Sequence, residues 1–262
     1  MKDVQSQKDS RNIRIERVGV KNLRIPIKIL DRANETQNTV ASVDVTVSLP
    51  AEQRATHMSR FLEVLWRHRE PLTLKEIPPI LDDIRKNLGA EKADITYRFP
   101  YFIERRAPVS GALGTNEYIC TFFGEVNDRV DLILGIDVPV HSFCPCSKAI
   151  SDRGGHNQRG VVRLKVRFGE FIWIEELVEI VESSASAPLF PVLKREDEKY
   201  LSELAYDNPV FVEDIVRNVS VKLLERAEVV WFSVEAENME SIHNHEAFAQ
   251  TEFDKREKIR IV

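Results

Sequence analysis

A half-buried β-strand is encoded by the alternating stretch Val43-Asp44-Val45-Thr46-Val47-Ser48-Leu49. Apolar and polar residues with a period of two are typical of a strand that has one face on a core and one on water. The chain then changes to helical spacing, in an apolar stripe formed by Met58, Phe61, Leu62, Leu65 and Trp66. We predict a helix that begins at Pro50 and buries this stripe.

Strands, helices and strands follow one another in this order in both halves of the chain. In the first half we predict strands at 13–20, 23–29 and 40–49, the helix just described, a helix at 74–88, and strands at 93–106, 116–125 and 130–141. In the second half we predict a strand at 161–168, helices at 174–184, 194–206 and 209–226, and strands at 229–236 and 247–253. This order predicts an α+β fold, with an antiparallel sheet and helices layered on one side.

The composition argues against several classes of function. The 262 residues carry 37 basic and 42 acidic side chains, a net charge of −5, which gives no reason to expect nucleic-acid binding. No apolar run is long enough for a membrane span. The first nine residues lack the apolar centre of a signal peptide. Three cysteines without such a signal indicate free thiols in a reducing cytoplasm.

The residues best suited to chemistry lie in the connection between the two halves, where no periodic pattern is present. Phe143-Cys144-Pro145-Cys146-Ser147-Lys148 is followed by Gly154-Gly155-His156-Asn157-Gln158-Arg159. Two thiols that flank one proline are too close for a relaxed disulfide. Thiolate and imidazole are ligands that Zn²⁺ prefers, so Cys144 and His156 are a candidate metal pair that needs a third ligand from elsewhere. Buried thiols and a hydrogen-bonded loop histidine would explain the same residues equally well.

The two other cysteines differ in their sequence surroundings. Cys146 has the basic neighbours Lys148 and Arg153, which would favour a reactive thiolate, although a passive thiol is at least as good an explanation. Cys120 lies in an apolar strand, and we predict that it belongs to the core. Basic groups near the Cys–His segment, including Arg159, could neutralise phosphates or simply face water.

Several carboxylates and histidines elsewhere have both a structural and a catalytic interpretation. The segment 235–246, which includes Glu240 and His243, could supply acid–base groups, but a solvated turn is the simpler interpretation. Glu213 lies near the start of a helix, where the helix dipole alone favours a carboxylate. Glu196-Asp197-Glu198 belongs to a charged helix and is predicted to face solvent.

The stretches 141–148 and 155–159 closely resemble type IB GTP cyclohydrolase I, the prokaryotic enzyme that opens folate synthesis. The resemblance covers essentially the whole chain, with further matches at 3–6, 18–20, 23–27 and 239–245. It implies a tunnelling fold (T-fold) of two ββααββ-like units in a single bimodular chain. The units would lie at about 12–142 and 161–262, with an active-site crossover at 143–160. It also implies a homo-oligomer, usually a tetramer, with active sites at subunit interfaces.

The resemblance implies a reaction and a set of site residues as well. GTP and water would give 7,8-dihydroneopterin triphosphate and formate, with one divalent Zn, Mn or Fe ion per site. By position, Cys144, His156 and Glu198 correspond to the metal ligands, and Glu213 to the anchor of the purine. The catalytic groups would be Cys146, Glu240 and His243.

Two alternatives stay open at this point. A nitrile reductase of queuosine synthesis shares the tunnelling fold, but it uses a covalent cysteine and NADPH without a catalytic metal, so metal content and NADPH consumption would distinguish it. A non-catalytic purine- or pterin-binding protein would hold a structural metal with four protein ligands. Such a protein would bind GTP without releasing formate.

Overall fold

The computed structural model describes residues 5, 7–68 and 71–256. Of the segment 3–6 that carries part of the resemblance, only Gln5 is among the described residues. The strands are β1 (Ile15–Asp31), β2 (Glu35–Leu49), β3 (Ala93–Arg106), β4 (Leu113–Val126), β5 (Val130–Phe143), β6 (Asn157–Phe168), β7 (Val229–Met239) and β8 (Ala247–Asp254). The helices are α1 (Met58–Arg67), α2 (Ile77–Leu88), α3 (Pro145–Ile150), α4 (Ile174–Glu182), α5 (Arg195–Asp207) and α6 (Val212–Glu225).

The eight strands form one sheet in which spatial order follows chain order from β1 to β8. The pairs β1–β2, β2–β3, β6–β7 and β7–β8 are antiparallel. The predicted α+β class with an antiparallel sheet is therefore confirmed. By contacts the chain divides into two compact units, one made of residues 1–100 and 120–134, the other of 101–119 and 135–262.

The first unit has a core to which β2, α1 and α2 contribute buried side chains. The predicted burial of the α1 stripe is only partly correct, because Phe61 and Leu65 are buried whereas Met58, Leu62 and Trp66 are exposed. Val43, Val45 and Val47 are buried, as their period of two predicts. On α2 the buried side chains recur at helical spacing, and they are Ile77, Ile80, Leu81, Ile84 and Leu88. The helix ends at Gly89, whose φ of 63° is the left-handed conformation that glycine adopts most readily.

The predicted start of the first helix at Pro50 is wrong, because α1 begins at Met58. The segment before it pairs with the N-terminal part of the chain, with a bridge between Lys8 and Gln53. The amide of Arg54 donates to the Gln7 carbonyl over 3.1 Å. These backbone groups are used between segments and so are not available for helical hydrogen bonds.

The predicted strands at 13–20 and 23–29 are one continuous strand, β1. Its pairing with β2 shifts register between Val20 and Leu23, where a bulge accommodates Asn22 at a φ of 57°. The amide of Asn22 donates to the Asp44 carboxylate over 2.7 Å. A bulge of this kind keeps the apolar face of the strand on the core despite the extra residue.

The second unit packs α6 against β7 and β8. The predicted stripe of α6 is buried, and it consists of Val212, Ile215, Val216, Val219 and Leu223. The helix starts later than predicted, because the Phe211 amide donates to the Asp214 side chain over 3.1 Å and so caps the helix at that point. In the part of the chain that the structure describes, no helix is long and apolar enough to cross a membrane.

The second unit contains a buried ionic cluster around Glu182 and a buried carboxylate, Asp197, and neither is indicated by an apolar pattern in the sequence. Arg105 donates to Glu182 over 2.6 Å, and the Tyr118 hydroxyl donates to the same carboxylate over 2.6 Å. Burial raises the pKa of Glu182 above its ordinary value, and burial also raises the pKa of Tyr118, to about 12. The predicted exposure of Asp197 is wrong, since this side chain is fully buried.

Candidate functional site

The Cys–His segment, residues 144–156, lies at the end of the sheet where β5 and β7 end and β6 begins. β5 ends at Phe143, β6 begins at Asn157, and β7 ends at Met239. Met239 is opposite Arg159 in the β6–β7 register. Because the strands alternate in direction, Cys144, His156 and Glu240 all leave the sheet at this end.

The connection between β5 and β6 is more ordered than its lack of periodicity indicated. Cys144 occupies the N-cap position of the six-residue helix α3, without a side-chain capping bond, and Pro145 opens the helix with its fixed φ. The Cys144 amide donates to the His156 carbonyl over 3.1 Å, so the cysteine and the histidine are joined through their backbones. The backbones of the predicted metal pair are therefore adjacent.

Ser147 and Gly155 hold the returning chain against α3. The Ser147 hydroxyl accepts from the His156 amide and donates to the Cys144 carbonyl, both over 3.1 Å. A Cβ on Gly155 would lie within 3.0 Å of the Lys148 amide nitrogen and closer still to the Ser147 hydroxyl. Glycine is required there because nothing larger allows the two segments to approach this closely.

The ring of His156 is held by a chain of buried polar side chains. Its Nδ1 lies 2.9 Å from Gln158 Oε1, and Gln158 Nε2 donates to Ser142 Oγ over 2.9 Å. Asn238 Nδ2 donates to the same hydroxyl over 3.1 Å. All three supporting side chains are buried, and the His156 ring is half-buried.

Sequence reasoning missed these supporting residues, although a signal was present. The buried positions of β6 alternate from Gln158 through Val162 to Val166. The period of two therefore extends toward the N-terminus beyond residue 161, the predicted start of the strand, and it assigns Gln158 to the core face. The same extension of β7 from Ala236 reaches Asn238. A glutamine or asparagine on a core face needs hydrogen-bond partners, which makes such a position informative.

The donor chemistry of this segment fits a divalent metal ion in part. A half-buried cysteine lies beside a histidine whose Nδ1 is occupied, which leaves Nε2 as the ring atom available for coordination. Within residues 5, 7–68 and 71–256, however, no three His, Cys, Asp or Glu side chains are grouped closely enough to hold a metal ion. Two of the three predicted ligands are thus associated, and the third donor is not brought up to them.

Glu198 lies in the first turn of α5 and is exposed. It lines an open cavity of about 340 Å³ together with His141, Gln158 and Arg159. Glu198 therefore shares this cavity with the glutamine that holds the His156 ring. Burial lowers the pKa of His141, which keeps that imidazole neutral at physiological pH.

The start of α5 is fixed by its buried neighbour Asp197. This carboxylate accepts from the backbone amides of Val109, Ser110 and Lys194 over 2.8, 2.9 and 2.8 Å. Burial opposes its charge, but these bonds and the Ser110 hydroxyl together hold the pKa of Asp197 below its usual range. The turn that carries Glu198 is thereby anchored to the β3–β4 connection.

Cys146 is exposed in α3, whereas Cys120 is fully buried, as predicted for a core residue. The Lys148 side chain contacts Tyr206. Its ammonium lies 4.0 Å from the centre of the Tyr206 ring and donates to the Tyr206 carbonyl. The basic neighbour of Cys146 in the sequence is therefore held against the Tyr206 ring.

Glu213 does not share the cavity of Glu198. It is exposed in the first turn of α6 and lines a separate groove of about 400 Å³, whose other walls include Arg217, Ser220 and Gln250. The groove runs between α6 and β8. In this chain the predicted purine anchor Glu213 and the predicted metal ligand Glu198 therefore lie in different depressions of the surface.

Glu240 and His243 lie together in the turn that follows β7. His243 Nε2 is 3.4 Å from a Glu240 carboxylate oxygen, and the His243 and His245 rings stack with centres 5.0 Å apart. The His243 amide donates to the Glu240 carbonyl over 3.2 Å, which closes the turn. An imidazole beside a carboxylate can transfer protons. Glu240 directly follows Met239, the residue opposite Arg159 in the β6–β7 register.

Solved structures define the class of fold. The chain is similar to uricase from Arthrobacter globiformis, with a TM-score of 0.55 and 10% identity, over 94% of this chain and 96% of that one. It is also similar to urate oxidase from Bacillus subtilis 168, with a TM-score of 0.54 and 8% identity over 92% and 99% of the two chains. At such low identity the likeness concerns the fold alone, and it confirms the predicted tunnelling fold.

Sequence comparison then gives the family. The profile described as "Type I GTP cyclohydrolase folE2" matches residues 1–249. The chain is 51% identical over 258 residues to GTP cyclohydrolase FolE2 of Geotalea uraniireducens, covering 98% of this chain and 95% of that one. It is 50% identical over 255 residues to GTP cyclohydrolase FolE2 of Kosmotoga olearia, covering 97% and 99%. This chain belongs to the type I GTP cyclohydrolase FolE2 family.

Proposed function

We propose that this chain is a cytoplasmic GTP cyclohydrolase of the type IB subdivision. It hydrolyses GTP at C8 and rearranges the product to 7,8-dihydroneopterin triphosphate and formate, the first step of tetrahydrofolate biosynthesis. The observation that carries this proposal is the identity of 51% over 98% of the chain to a protein named GTP cyclohydrolase FolE2. Identity at this level and coverage leaves no large part of the chain unmatched.

One divalent ion, Zn, Mn or Fe, is the cofactor in this proposal, with Cys144, His156 and Glu198 as its ligands. The orientation of the His156 ring and the proximity of Cys144 support the first two assignments. Glu198 is supported by its place in the cavity that Gln158 also lines. When bound, such an ion supplies Lewis acidity that lowers the pKa of water. Mixed thiolate, imidazole and carboxylate donors do not select one of these metals by softness.

Glu213 is the proposed purine anchor. A carboxylate accepts hydrogen bonds from guanine N1–H and the 2-amino group together, whereas adenine does not offer this pair of donors. Glu213 and Glu198 line different depressions in one chain. We therefore propose a homo-oligomer, with the tetramer as the expected form, in which the α6–β8 groove of one subunit completes the site at the strand ends of another.

Cys146, Glu240 and His243 are the proposed catalytic groups. The side chains of all three are accessible, so they can reach a substrate that occupies the end of the sheet. The Glu240 carboxylate orients the His243 imidazole, which can take a proton from the attacking water and return it to the departing nitrogen. The Cys146 thiol is placed to give or accept a proton during the later ring rearrangement.

The test uses purified full-length chain that has been stripped of metal and resupplied with Zn²⁺ or Mn²⁺. After incubation with GTP, formate and the fluorescence of the oxidised pterin are measured together. Metal-dependent release of both products is expected. Formate without pterin would assign ring opening to the chain and remove the rearrangement from the proposal.

The outcome that contradicts the proposal is the absence of both products with every metal. GTP binding without formate would then favour the purine- or pterin-binding protein. NADPH consumption with a nitrile substrate and no added metal would favour the nitrile reductase. Neither alternative is favoured by an observation on the described residues.

A further inference from the structure

Three buried polar residues from three neighbouring strands meet beneath His156. Ser142 comes from β5, Gln158 from β6 and Asn238 from β7. The Ser142 hydroxyl accepts from both amide side chains, over 2.9 Å from Gln158 and 3.1 Å from Asn238. The amide oxygen of Gln158 is then turned toward the His156 ring, 2.9 Å from Nδ1.

The register of β6 and β7 provides the space that this network needs. Gly160 is opposite Asn238, and a Cβ on Gly160 would overlap Asn238 Oδ1. That oxygen is buried and has no hydrogen-bond partner among the described residues. An unsatisfied buried acceptor costs free energy, so the position of Asn238 is costly for stability. A costly buried polar group that is nevertheless held in place calls for a role beyond folding.

The direction of the hydrogen bonds decides the protonation of the ring. An amide oxygen only accepts, so the bond between Gln158 Oε1 and His156 Nδ1 requires the proton to be on Nδ1. A neutral imidazole with its proton on Nδ1 has its lone pair on Nε2. In the structure the amide of Gln158 is oriented with its Nε2 donating to Ser142 Oγ and its Oε1 facing Nδ1.

We propose that Gln158, held by Ser142 and Asn238, is a positioning residue that fixes His156 as the Nδ1–H tautomer and so aims Nε2 out of the sheet. The proposal rests on the proposed function only in that a metal ion accepts the Nε2 lone pair. The tautomer is a property of the metal-free chain. Outer partners of a ligating histidine set both its tautomer and its basicity, and their loss typically lowers metal affinity by about 10- to 100-fold.

The first experiment measures the tautomer without metal. The nitrogen chemical shifts of the imidazoles are recorded on metal-stripped, ¹⁵N-histidine-labelled chain at a pH where the ring is neutral, and a His156→Gln variant assigns the resonance. Wild type should show one Nδ1–H tautomer for His156. Gln158→Leu, which removes the acceptor, should give a mixture of the two tautomers. Gln158→Glu keeps an acceptor facing Nδ1 and should restore the wild-type pattern.

The second experiment measures zinc affinity by competition with a chromogenic chelator. Gln158→Leu should weaken binding by about 10- to 100-fold, and Gln158→Glu should recover most of that loss. The matched control is Thr39→Val, which removes one buried hydrogen bond of 2.8 Å from the Thr39 hydroxyl to the Pro100 carbonyl, in the other compact unit. This control should lower stability while leaving zinc affinity within about twofold.

The outcomes separate the two proposals. If Gln158→Leu retains a single Nδ1–H tautomer and wild-type zinc affinity, the positioning role is refuted. If Thr39→Val weakens zinc binding as much as Gln158→Leu does, the effect is one of general stability and the role is likewise refuted. If wild type shows the expected tautomer but binds no metal and releases no formate, the proposed function fails while the assignment of the ring stands.

Discussion

Replacement of Gly160 by alanine tests the packing at the strand ends directly. The added Cβ would overlap Asn238 Oδ1 and lie 2.9 Å from the Glu237 carbonyl oxygen, closer than real Cβ contacts. The backbone carbonyl cannot retreat without breaking the β6–β7 pairing, so Asn238 must move. Its bond of 3.1 Å to Ser142 is then lost, and with it the support of Gln158.

The magnitude follows from three contributions. Overpacking of a close-packed site costs about 1 to 3 kcal/mol. Loss of the Asn238–Ser142 bond adds about 1 kcal/mol. The reduced entropy of the unfolded chain offsets about 0.4 to 1 kcal/mol. We expect Gly160→Ala to lower the free energy of unfolding by about 1 to 4 kcal/mol in total.

Gly169 provides the matched control, since it follows the same strand and a Cβ there would meet only Val230 at 3.7 Å, an ordinary contact. Gly169→Ala should therefore be neutral or slightly stabilising. Urea unfolding of both variants at one fixed protein concentration measures the difference. Adding Asn238→Ala to Gly160→Ala should recover part of the loss. Equal stability of the two alanine variants would refute the argument that Gly160 makes room for Asn238.

Three further predictions concern other parts of the chain. Burial raises the pKa of Glu182, so the folded chain keeps a proton that the unfolded chain releases, and the free energy of unfolding should fall as pH rises from 4.5 through that raised pKa. Urea unfolding at several pH values measures this dependence, and a pH dependence that is unchanged in Glu182→Gln would assign the effect to another group. Cys144→Ser should abolish tight zinc binding, whereas Cys146→Ser should keep zinc but lose pterin formation, and equal zinc loss in both would contradict their separate roles. Glu213→Gln should raise the KM for GTP by at least about tenfold with zinc affinity unchanged, and the exposed Glu203→Gln serves as its control; an unchanged KM would remove Glu213 from the purine site.

The candidate site was foreseeable from the sequence only where residue chemistry was itself distinctive. Cys144 and His156 drew attention because thiols and imidazoles are scarce and close together in the chain. Gln158 and Asn238 did not, because an amide side chain has no chemical signature until its burial is known. Asp197 was misjudged for the same reason, since charged neighbours in a helix indicate solvent unless a distant turn supplies donors.

The sequence by itself determined the elements, the antiparallel α+β class and, through resemblance, the family. These depend on periodicity and on long runs of matching residues, which are properties of the chain read in order. Tertiary structure decided where the elements begin and which side chains meet, as with the late start of α1 and the bulge in β1. It also decided that Ser142, Gln158 and Asn238, up to 96 positions apart, converge beneath one histidine ring. Such convergence depends on strand register, which pairs residues across the sheet and is not written in any local pattern.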